Sequence, residues 1–218
     1  LLPLNAKEIN NLTVSSFYQP IDKVGGDLFD IIPLKNGNVG VFISDVFGHG
    51  VPAAFLNIML KMILRSVVEE EDRNKEDTYP FKVLEKINKK IQQYINDGNF
   101  ITALYSIIDV NNKMLYISSA GHPKAIIMRK EGNRVSYIES RGLCLGFSSE
   151  VTYTTNAVRL YPGDRIIFYT DGLPEMKDKN GRELGSDGLI EVLKRCSTEV
   201  NHDTLVTRVV RETDRLRS

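Results

Sequence analysis

The sequence predicts an α+β fold in which helices cover antiparallel sheets. Strand-like and helix-like runs occur in groups along the chain. Strands come first, two helices follow, many strands come next and two helices close the chain, and such grouping is typical of α+β proteins. Turn signals such as Asn36-Gly37 and Asn111-Asn112 join neighbouring strands as hairpins, which indicates antiparallel pairing.

Strand signals open the chain. Leu12 to Tyr18 and Asp27 to Leu34 are typical of strands, and the Asn36-Gly37 turn leads into an apolar strand from Val39 to Ile43. The preceding Leu1-Leu2-Pro3 is typical of the tail of a helix that begins before this sequence.

Two helices follow these strands. Val51 to Val68 is apolar nearly all round, with one polar stripe at i,i+4 spacing, so we expect this helix to be deeply packed. The stripe consists of Asn57, Lys61, Arg65 and Glu69. Glu69 to Asp77 is predicted to be a solvated acidic loop. Phe81 to Ile95 is predicted to be an amphipathic helix, whose apolar face consists of Val83, Leu84, Ile87, Ile91, Tyr94 and Ile95.

The second half of the chain is rich in strand signals and ends in helices. Ile101 to Asp109 and Met114 to Ser119 are predicted to form a hairpin. Further short strands are predicted at Ala125 to Arg129, Val135 to Ile138, Val151 to Leu160 and Arg165 to Thr170. Closing helices are predicted over Ser186 to Cys196 and Asp203 to Leu216, with Ser186 and Asp203 as N-terminal caps.

Length and composition narrow the class of protein. A chain of 218 residues fits one domain, and 28 basic residues balance 28 acidic ones, so no general field would attract nucleic acid or an anionic membrane. Two cysteines are too few for a disulfide framework, which favours the cytoplasm. We find no apolar run near the roughly 20 residues that span a bilayer, so we expect no direct membrane contact from this segment.

Three aspartates occupy places where predicted strands begin or end. Asp45 and Asp171 each end a predicted strand before a glycine turn, and Asp27 follows Gly25-Gly26, with Asp30 three residues later. Gathered carboxylates repel one another and lose hydration, so they are tolerated mainly when a cation neutralises them. Hard oxygen ligands suit Mg²⁺ or Mn²⁺. A helix cap or a turn explains any one of these aspartates equally well, whereas the three together favour a metal site.

Other catalytic groups are not evident. Neither Cys144 nor Cys196 is followed by a phosphate-binding loop with an arginine, no serine lies in a G-x-S-x-G elbow, and no histidine pair has zinc-ligand spacing. His49 lies between two glycines and is a candidate for substrate contact, although a turn-forming surface histidine explains it as well. His122 is predicted to be a structural turn residue, although its loop could also reach the site. The economical mechanism is therefore phosphoryl hydrolysis by water activated between two cations about 3.5–4 Å apart.

Four ordered motifs carry a resemblance to a known family. They are Gly25-Gly26-Asp27-x-x-Asp30, Asp45-Val46-x-Gly48-His49-Gly50-Val51-Pro52-Ala53-Ala54, Ala120-Gly121-His122, and Pro162-Gly163-Asp164-Arg165 running through Thr170-Asp171-Gly172. With these motifs the chain resembles the PPM-type metal-dependent protein serine/threonine phosphatases, and more closely their bacterial SpoIIE-like and RsbU-like branch. The resemblance extends from Leu1-Leu2-Pro3 to the Gly185 region.

The resemblance implies a four-layer α-β-β-α sandwich of two antiparallel sheets flanked by helices. It also implies a centre of two Mn²⁺ or Mg²⁺ ions, held by the catalytic residues Asp27, Asp45 and Asp171 and by the backbone carbonyl of Val46. The implied substrate is phosphoserine or phosphothreonine on a small regulatory protein of the anti-sigma-factor-antagonist type. An upstream sensor domain in the same chain is an implied partner, and a second copy of the chain is a further candidate partner.

One departure from the family pattern concerns the C-terminal end. The family pattern ends with an Asp-Asp-x-Thr strand whose first aspartate binds metal, whereas here only His202-Asp203-Thr204 comes near it, at the start of a helical pattern. We therefore expect residues 1–218 to be a single phosphatase domain of a longer protein, without its N-terminal sensor and linker and without its last strand. The missing ligand leaves open a catalytically impaired pseudo-phosphatase that binds a regulatory partner. A nucleotide cyclase, suggested by Gly25-Gly26-Asp27-Leu28-Phe29, lacks its companion motifs.

Overall fold

The structure, a computed structural model, describes residues 4–19, 25–35, 37–48, 50–73, 79–95, 99–197 and 202–217. Within these ranges the strands are β1 (Leu4–Ile9), β2 (Leu12–Ser16), β3 (Asp27–Pro33), β4 (Val39–Val46), β5 (Ile101–Asp109), β6 (Met114–Ala120), β7 (Ile126–Met128), β8 (Val135–Tyr137), β9 (Asn156–Arg159) and β10 (Arg165–Ile167). The helices are α1 (Val51–Arg73), α2 (Pro80–Ile91), α3 (Gly185–Cys196) and α4 (His202–Arg217). All strand pairs in the three sheets are antiparallel, which confirms the predicted α+β class.

The chain divides into two compact units. The larger unit consists of Pro20–Lys124 and Glu139–Leu160, and the smaller unit consists of Leu1–Gln19, Ala125–Ile138 and Tyr161–Ser218. Our expectation of a single domain stays a prediction.

A five-stranded sheet lies at the centre of the larger unit, in the order β3-β4-β5-β6-β9. Phe42 and Val46 of β4 belong to one hydrophobic core with α1 and α2, together with Leu64 and Ile87. Because side chains alternate along a strand, Asp45 lies on the face of the sheet opposite to Phe42 and Val46. The predicted apolar face of α2 is confirmed for Val83, Leu84, Ile87 and Ile91. The helix ends at Ile91 rather than at Ile95, so Tyr94 lies in a following 3₁₀ turn and is 47% exposed, and Ile95 lies just after that turn.

Helix α1 is longer than predicted. It continues through the acidic run to Arg73, where we expected a solvated loop from Glu69 onward. Glu71 is buried, and its carboxylate pairs with Lys86 of α2 at 2.5 Å. Hydrogen bonds to Glu70 and then Glu71 raise the pKa of Lys86. The solvated-loop prediction is therefore wrong for 69–73, and residues 74–77 lie outside the described ranges.

One face of α1 is apolar and exposed. Val51, Phe55, Ile58 and Met62 recur at helical spacing, and each is between 59% and 69% exposed. The prediction of deep packing all round is therefore wrong for this face. Val51–Asp72 is long and apolar enough to cross a membrane, judged by length and composition alone. Core helices of soluble proteins also meet this criterion, and 33% of the most apolar part of this helix is buried. By this criterion our statement that no apolar run approaches bilayer length is also wrong.

The smaller unit contains the β1-β2 hairpin, the β10-β7-β8 sheet and helices α3 and α4. Strand β1 was not predicted, and the predicted helical tail at residues 1–3 lies outside the described ranges. Ser186 does not cap α3, because Leu184 occupies the cap position and no side chain bonds there. Helix α4 begins at His202, so the proposed cap Asp203 lies inside it.

Candidate metal site

Asp27 and Asp45 lie directly opposite each other in the antiparallel pairing of β3 with β4. Side chains at opposite positions share one face of a sheet, with Cβ atoms about 4.5–5.5 Å apart. Two carboxylates this close repel each other, so a bound cation would stabilise the pair. The predicted hairpin thus brings two of the three candidate ligands together.

Asp30 lies on the other face of β3. Side chains three residues apart on a strand point to opposite faces, so Asp30 is separated from Asp27. Asp30 is 8% exposed, and its two carboxylate oxygens accept hydrogen bonds from Nε and Nη2 of Arg65 on α1, both at 2.6 Å. Because this guanidinium neutralises Asp30, the residue has a structural partner outside the carboxylate pair.

Gly26 allows oxygen atoms to crowd beside the pair. A Cβ atom at Gly26 would lie 2.7 Å from the carbonyl oxygen of Val46 and 2.9 Å from Oδ1 of Asp45, which is too close for either. The Val46 N–H also donates to the Gly26 carbonyl at 3.0 Å. A residue without a side chain therefore keeps the Asp45 carboxylate and the Val46 carbonyl next to the backbone that leads into Asp27. These are hard oxygen donors, so they fit Mg²⁺ or Mn²⁺.

Gly26→Ala should disturb this arrangement directly. The new methyl group must displace the Val46 carbonyl or the Asp45 carboxylate, so we expect the melting temperature to fall by about 2–10 °C and Mn²⁺ affinity to fall about tenfold or more. Gly188→Ala is a matched control. Gly188 lies inside α3, where alanine favours the helix, and its new methyl group would meet the flexible side chain of Leu184. Differential scanning fluorimetry with a Mn²⁺ titration measures both effects. Wild-type Mn²⁺ affinity in Gly26→Ala would contradict the proposed crowding of ligands.

Asp171, the third predicted ligand, lies in the smaller unit. Strand β10 ends at Ile167 rather than at Thr170, so Asp171 follows an irregular segment and does not directly end a strand. Its side chain is exposed, and its main-chain carbonyl accepts the N–H of Glu175 at 2.9 Å, which closes a turn. Its role as a ligand stays a prediction.

Among the residues that the structure describes, no group of three or more His, Cys, Asp or Glu side chains could hold a metal ion. His49, the candidate for substrate contact, lies outside the described ranges.

His122 is buried next to β5. It is 5% exposed, its Nδ1 lies 2.9 Å from Oγ1 of Thr102, and its N–H donates to Oγ of Ser119 at 3.2 Å. Thr102 in turn lies opposite Asp45 in the pairing of β4 with β5. These contacts agree with the predicted structural role of His122, which holds its turn beside the strand that flanks Asp45.

Neither cysteine offers an accessible thiolate. Burial raises the pKa of the Cys144 thiol, so little thiolate forms there at neutral pH. Cys196 is fully buried in the core of the smaller unit. Both observations agree with the prediction against a cysteine nucleophile.

Part of the polar stripe on α1 contacts β3 and the two glycines just before it. Nδ2 of Asn57 donates to the carbonyl oxygens of Gly25 at 3.1 Å and Gly26 at 2.7 Å, and Arg65 pairs with Asp30. Sequence reasoning identified the stripe but missed these contacts. The i,i+4 spacing shows which residues share a helix face, but it does not show what that face meets.

A family model and a curated relative both match most of this chain. The family model for Stage II sporulation protein E (SpoIIE) matches residues 35–218. Phosphoserine phosphatase RsbU of Bacillus subtilis (strain 168) is 27% identical over 181 residues, which cover 83% of this chain and 52% of RsbU. The chain thus spans about half the length of that relative.

Solved structures show a shared fold. The SiaA-PP2C domain of Pseudomonas aeruginosa matches with a TM-score of 0.80 at 18% identity, over 93% of this chain and 78% of that chain. The PP2C phosphatase domain of SpoIIE from Bacillus subtilis, solved with a fragment of its regulatory domain, matches with a TM-score of 0.74 at 22% identity, over 90% of this chain and 55% of that chain. The fold is therefore that of the PP2C phosphatase domains, as the motifs led us to expect. Because the family model matches most of its length, the chain belongs to the Stage II sporulation protein E (SpoIIE) family.

Proposed function

We propose that this chain is a metal-dependent protein phosphatase that hydrolyses phosphoserine or phosphothreonine on a small regulatory protein. The placement of Asp27 directly opposite Asp45 is the observation that supports this function most strongly. Membership of the SpoIIE family and the likeness to a phosphoserine phosphatase of Bacillus subtilis support the same class of reaction.

The residues proposed to hold two Mn²⁺ or Mg²⁺ ions are Asp27, Asp45, Asp171 and the main-chain carbonyl of Val46. When bound, such cations lower the pKa of a coordinated water and neutralise charge on the phosphoryl oxygens. The contribution of the chain itself is to position ligands. The pairing of β3 with β4 fixes two carboxylates on one face, and Gly26 leaves room for the Val46 carbonyl beside them.

The proposed substrate is a phosphorylated regulatory protein of the anti-sigma-factor-antagonist type. We further propose that a sensor domain in the same chain controls the phosphatase and that the protein acts in the cytoplasm. The balanced charge of the chain favours a compact protein partner over nucleic acid.

Phosphatase assays on the full-length protein test this function. Hydrolysis of p-nitrophenyl phosphate and of a phosphoserine peptide should be stimulated by Mn²⁺ and abolished by EDTA, because the carboxylates act only through the cation. Undiminished turnover in EDTA would end the metal hypothesis. A pseudo-phosphatase would instead bind Mn²⁺ and the phosphoprotein without releasing phosphate.

A further inference from the structure

The side-chain amide of Asn57 holds the backbone that leads into β3. Its Nδ2 donates to the carbonyl oxygens of Gly25 at 3.1 Å and Gly26 at 2.7 Å, and it lies 3.5 Å from that of Asp27. All three neighbours are acceptors, so the amide must turn its nitrogen toward them. Asn57 is 8% exposed, which places these contacts in the interior of the protein.

An asparagine at this position carries a cost for the helix and for burial. Asparagine is a poorer helix former than leucine or methionine. In addition, Oδ1 of Asn57 is buried and accepts no hydrogen bond from any residue that the structure describes. A buried acceptor without a donor destabilises the folded state. An apolar residue would avoid both costs, but it would take away the hydrogen bonds that Nδ2 donates to the carbonyls of Gly25 and Gly26. What the asparagine provides is therefore its hold on the backbone that leads into Asp27.

The carbonyl oxygen of Gly26 receives hydrogen bonds from two different elements. One comes from Nδ2 of Asn57 on α1 at 2.7 Å, and the other comes from the N–H of Val46 at the end of β4 at 3.0 Å. Gly26 precedes Asp27, and Val46 follows Asp45. Because the Gly26 carbonyl accepts these two hydrogen bonds, it fixes the backbone beside both members of the carboxylate pair.

A second contact of the same helix holds β3 further along. Arg65 lies about two helical turns after Asn57, on the same face of α1, and forms its bidentate pair with Asp30. Helix α1 thus contacts this segment on either side of the Asp27 side chain.

We propose that Asn57 is a positioning residue for the carboxylate pair. By holding the carbonyls of Gly25 and Gly26, its amide sets the backbone so that Asp27 and Asp45 bind a divalent cation. This inference rests on the proposed metal-dependent function. It assigns Asn57 a role distinct from that of a ligand, since its amide binds the backbone of the site.

The test compares two buried asparagines. Asn57→Leu replaces the amide with an apolar side chain of the same branching and the same number of heavy atoms, and Asn88→Leu is the matched control. Asn88 lies on α2 and is 1% exposed, and its amide donates to the Ser148 carbonyl and accepts the Gly146 N–H, both at 2.8 Å. Both variants should lower the melting temperature by roughly 3–8 °C. Only Asn57→Leu should weaken Mn²⁺ binding, by about 10- to 100-fold in isothermal titration calorimetry, and Asn57→Gln should recover part of this loss.

Hydrogen exchange in the metal-free protein gives a second readout. The Val46 N–H should exchange about tenfold faster in Asn57→Leu than in Asn88→Leu, because the Gly26 carbonyl that accepts it is no longer fixed. If Asn57→Leu does not fold, Asn57→Ala replaces it in both measurements. Mn²⁺ affinity and Val46 exchange that match those of Asn88→Leu would overturn the proposal. If the wild-type protein binds no Mn²⁺, the proposed function fails, and the exchange of Val46 alone decides whether Asn57 holds the backbone at Gly25 and Gly26.

Discussion

Asp45→Asn should lower the phosphatase turnover of the full-length protein by about a thousandfold or more while the fold stays intact. An amide keeps the shape of the carboxylate and removes its charge. Because Asp45 lies directly opposite Asp27, the change removes one of the two charges that would attract the cation at this position. Initial rates with p-nitrophenyl phosphate at saturating Mn²⁺ measure the loss, and the melting temperature reports on the fold.

Asp109→Asn is the control for this experiment. Asp109 also ends a strand of the same sheet, but it lies at the opposite end of β5 from the residue that pairs with Asp45. Its carboxylate accepts the N–H of Asn112 at 2.9 Å and so serves a turn. We expect the activity of the Asp109→Asn variant to stay within about twofold of wild type. Near-normal turnover in Asp45→Asn would exclude Asp45 as an essential ligand.

Asp171→Asn should reduce the stabilisation that Mn²⁺ gives to the protein by about half or more. At a Mn²⁺ concentration of 100 times Kd, a ligand that binds only the folded state stabilises it by about 2.7 kcal/mol, and a tenfold weaker Kd leaves about 1.4 kcal/mol. Removal of one ligand charge should weaken binding at least that much, whereas the metal-free protein should be as stable as before or more so, because one repelling charge is gone. Thermal unfolding with and without Mn²⁺ measures the difference.

Asp178→Asn is the control for Asp171→Asn. Asp178 lies in the same part of the smaller unit, and its carboxylate accepts the N–H groups of Asn180 at 2.8 Å and Arg182 at 2.9 Å. These hydrogen bonds lower the pKa of Asp178, and the one from the Arg182 main chain contributes most. The carboxylate is therefore charged at neutral pH. Its replacement should leave the Mn²⁺ shift unchanged. An unchanged shift in Asp171→Asn as well would place that carboxylate outside the metal centre.

Much of the fold of the larger unit could be predicted, because its signals are local. The predicted hairpin of Ile101 to Asp109 with Met114 to Ser119 agrees with β5 and β6 to within a residue at every end. Apolar runs bounded by turn residues are sufficient for such strands, since each run carries its own period and its own ends.

Features that depend on distant contacts could not be predicted in this way. The run that begins at Glu69 has the composition of a solvated loop, yet it stays helical because α2 provides Lys86 as a partner for Glu71. Likewise, Leu4–Ile9 is a strand because β2 pairs with it, and its own composition gives little sign of this. A sequence shows the charge of a side chain but not the group that folds beside it.

The same limit applies to the candidate site. The pairing of Asp27 with Asp45 follows from a short hairpin and could be predicted from the turn between β3 and β4. The hydrogen bond from Asn57 to Gly25 spans 32 residues, so no local pattern indicates it.

The spacing of Asp27 and Asp30 restricts how the length of β3 can change during evolution. At three residues apart, one aspartate faces Asp45 across the sheet and the other faces Arg65 of α1. Insertion or deletion of one residue between them would bring both to the same face, so that either the carboxylate pair or the ion pair with Arg65 would be lost. A change of two residues keeps the aspartates on opposite faces but moves one of them about 7 Å along the strand, away from its partner. A single insertion that the strand absorbs as a bulge disturbs the two partners least. The number of residues between Asp27 and Asp30 is therefore set by two partners that lie on opposite faces of the sheet.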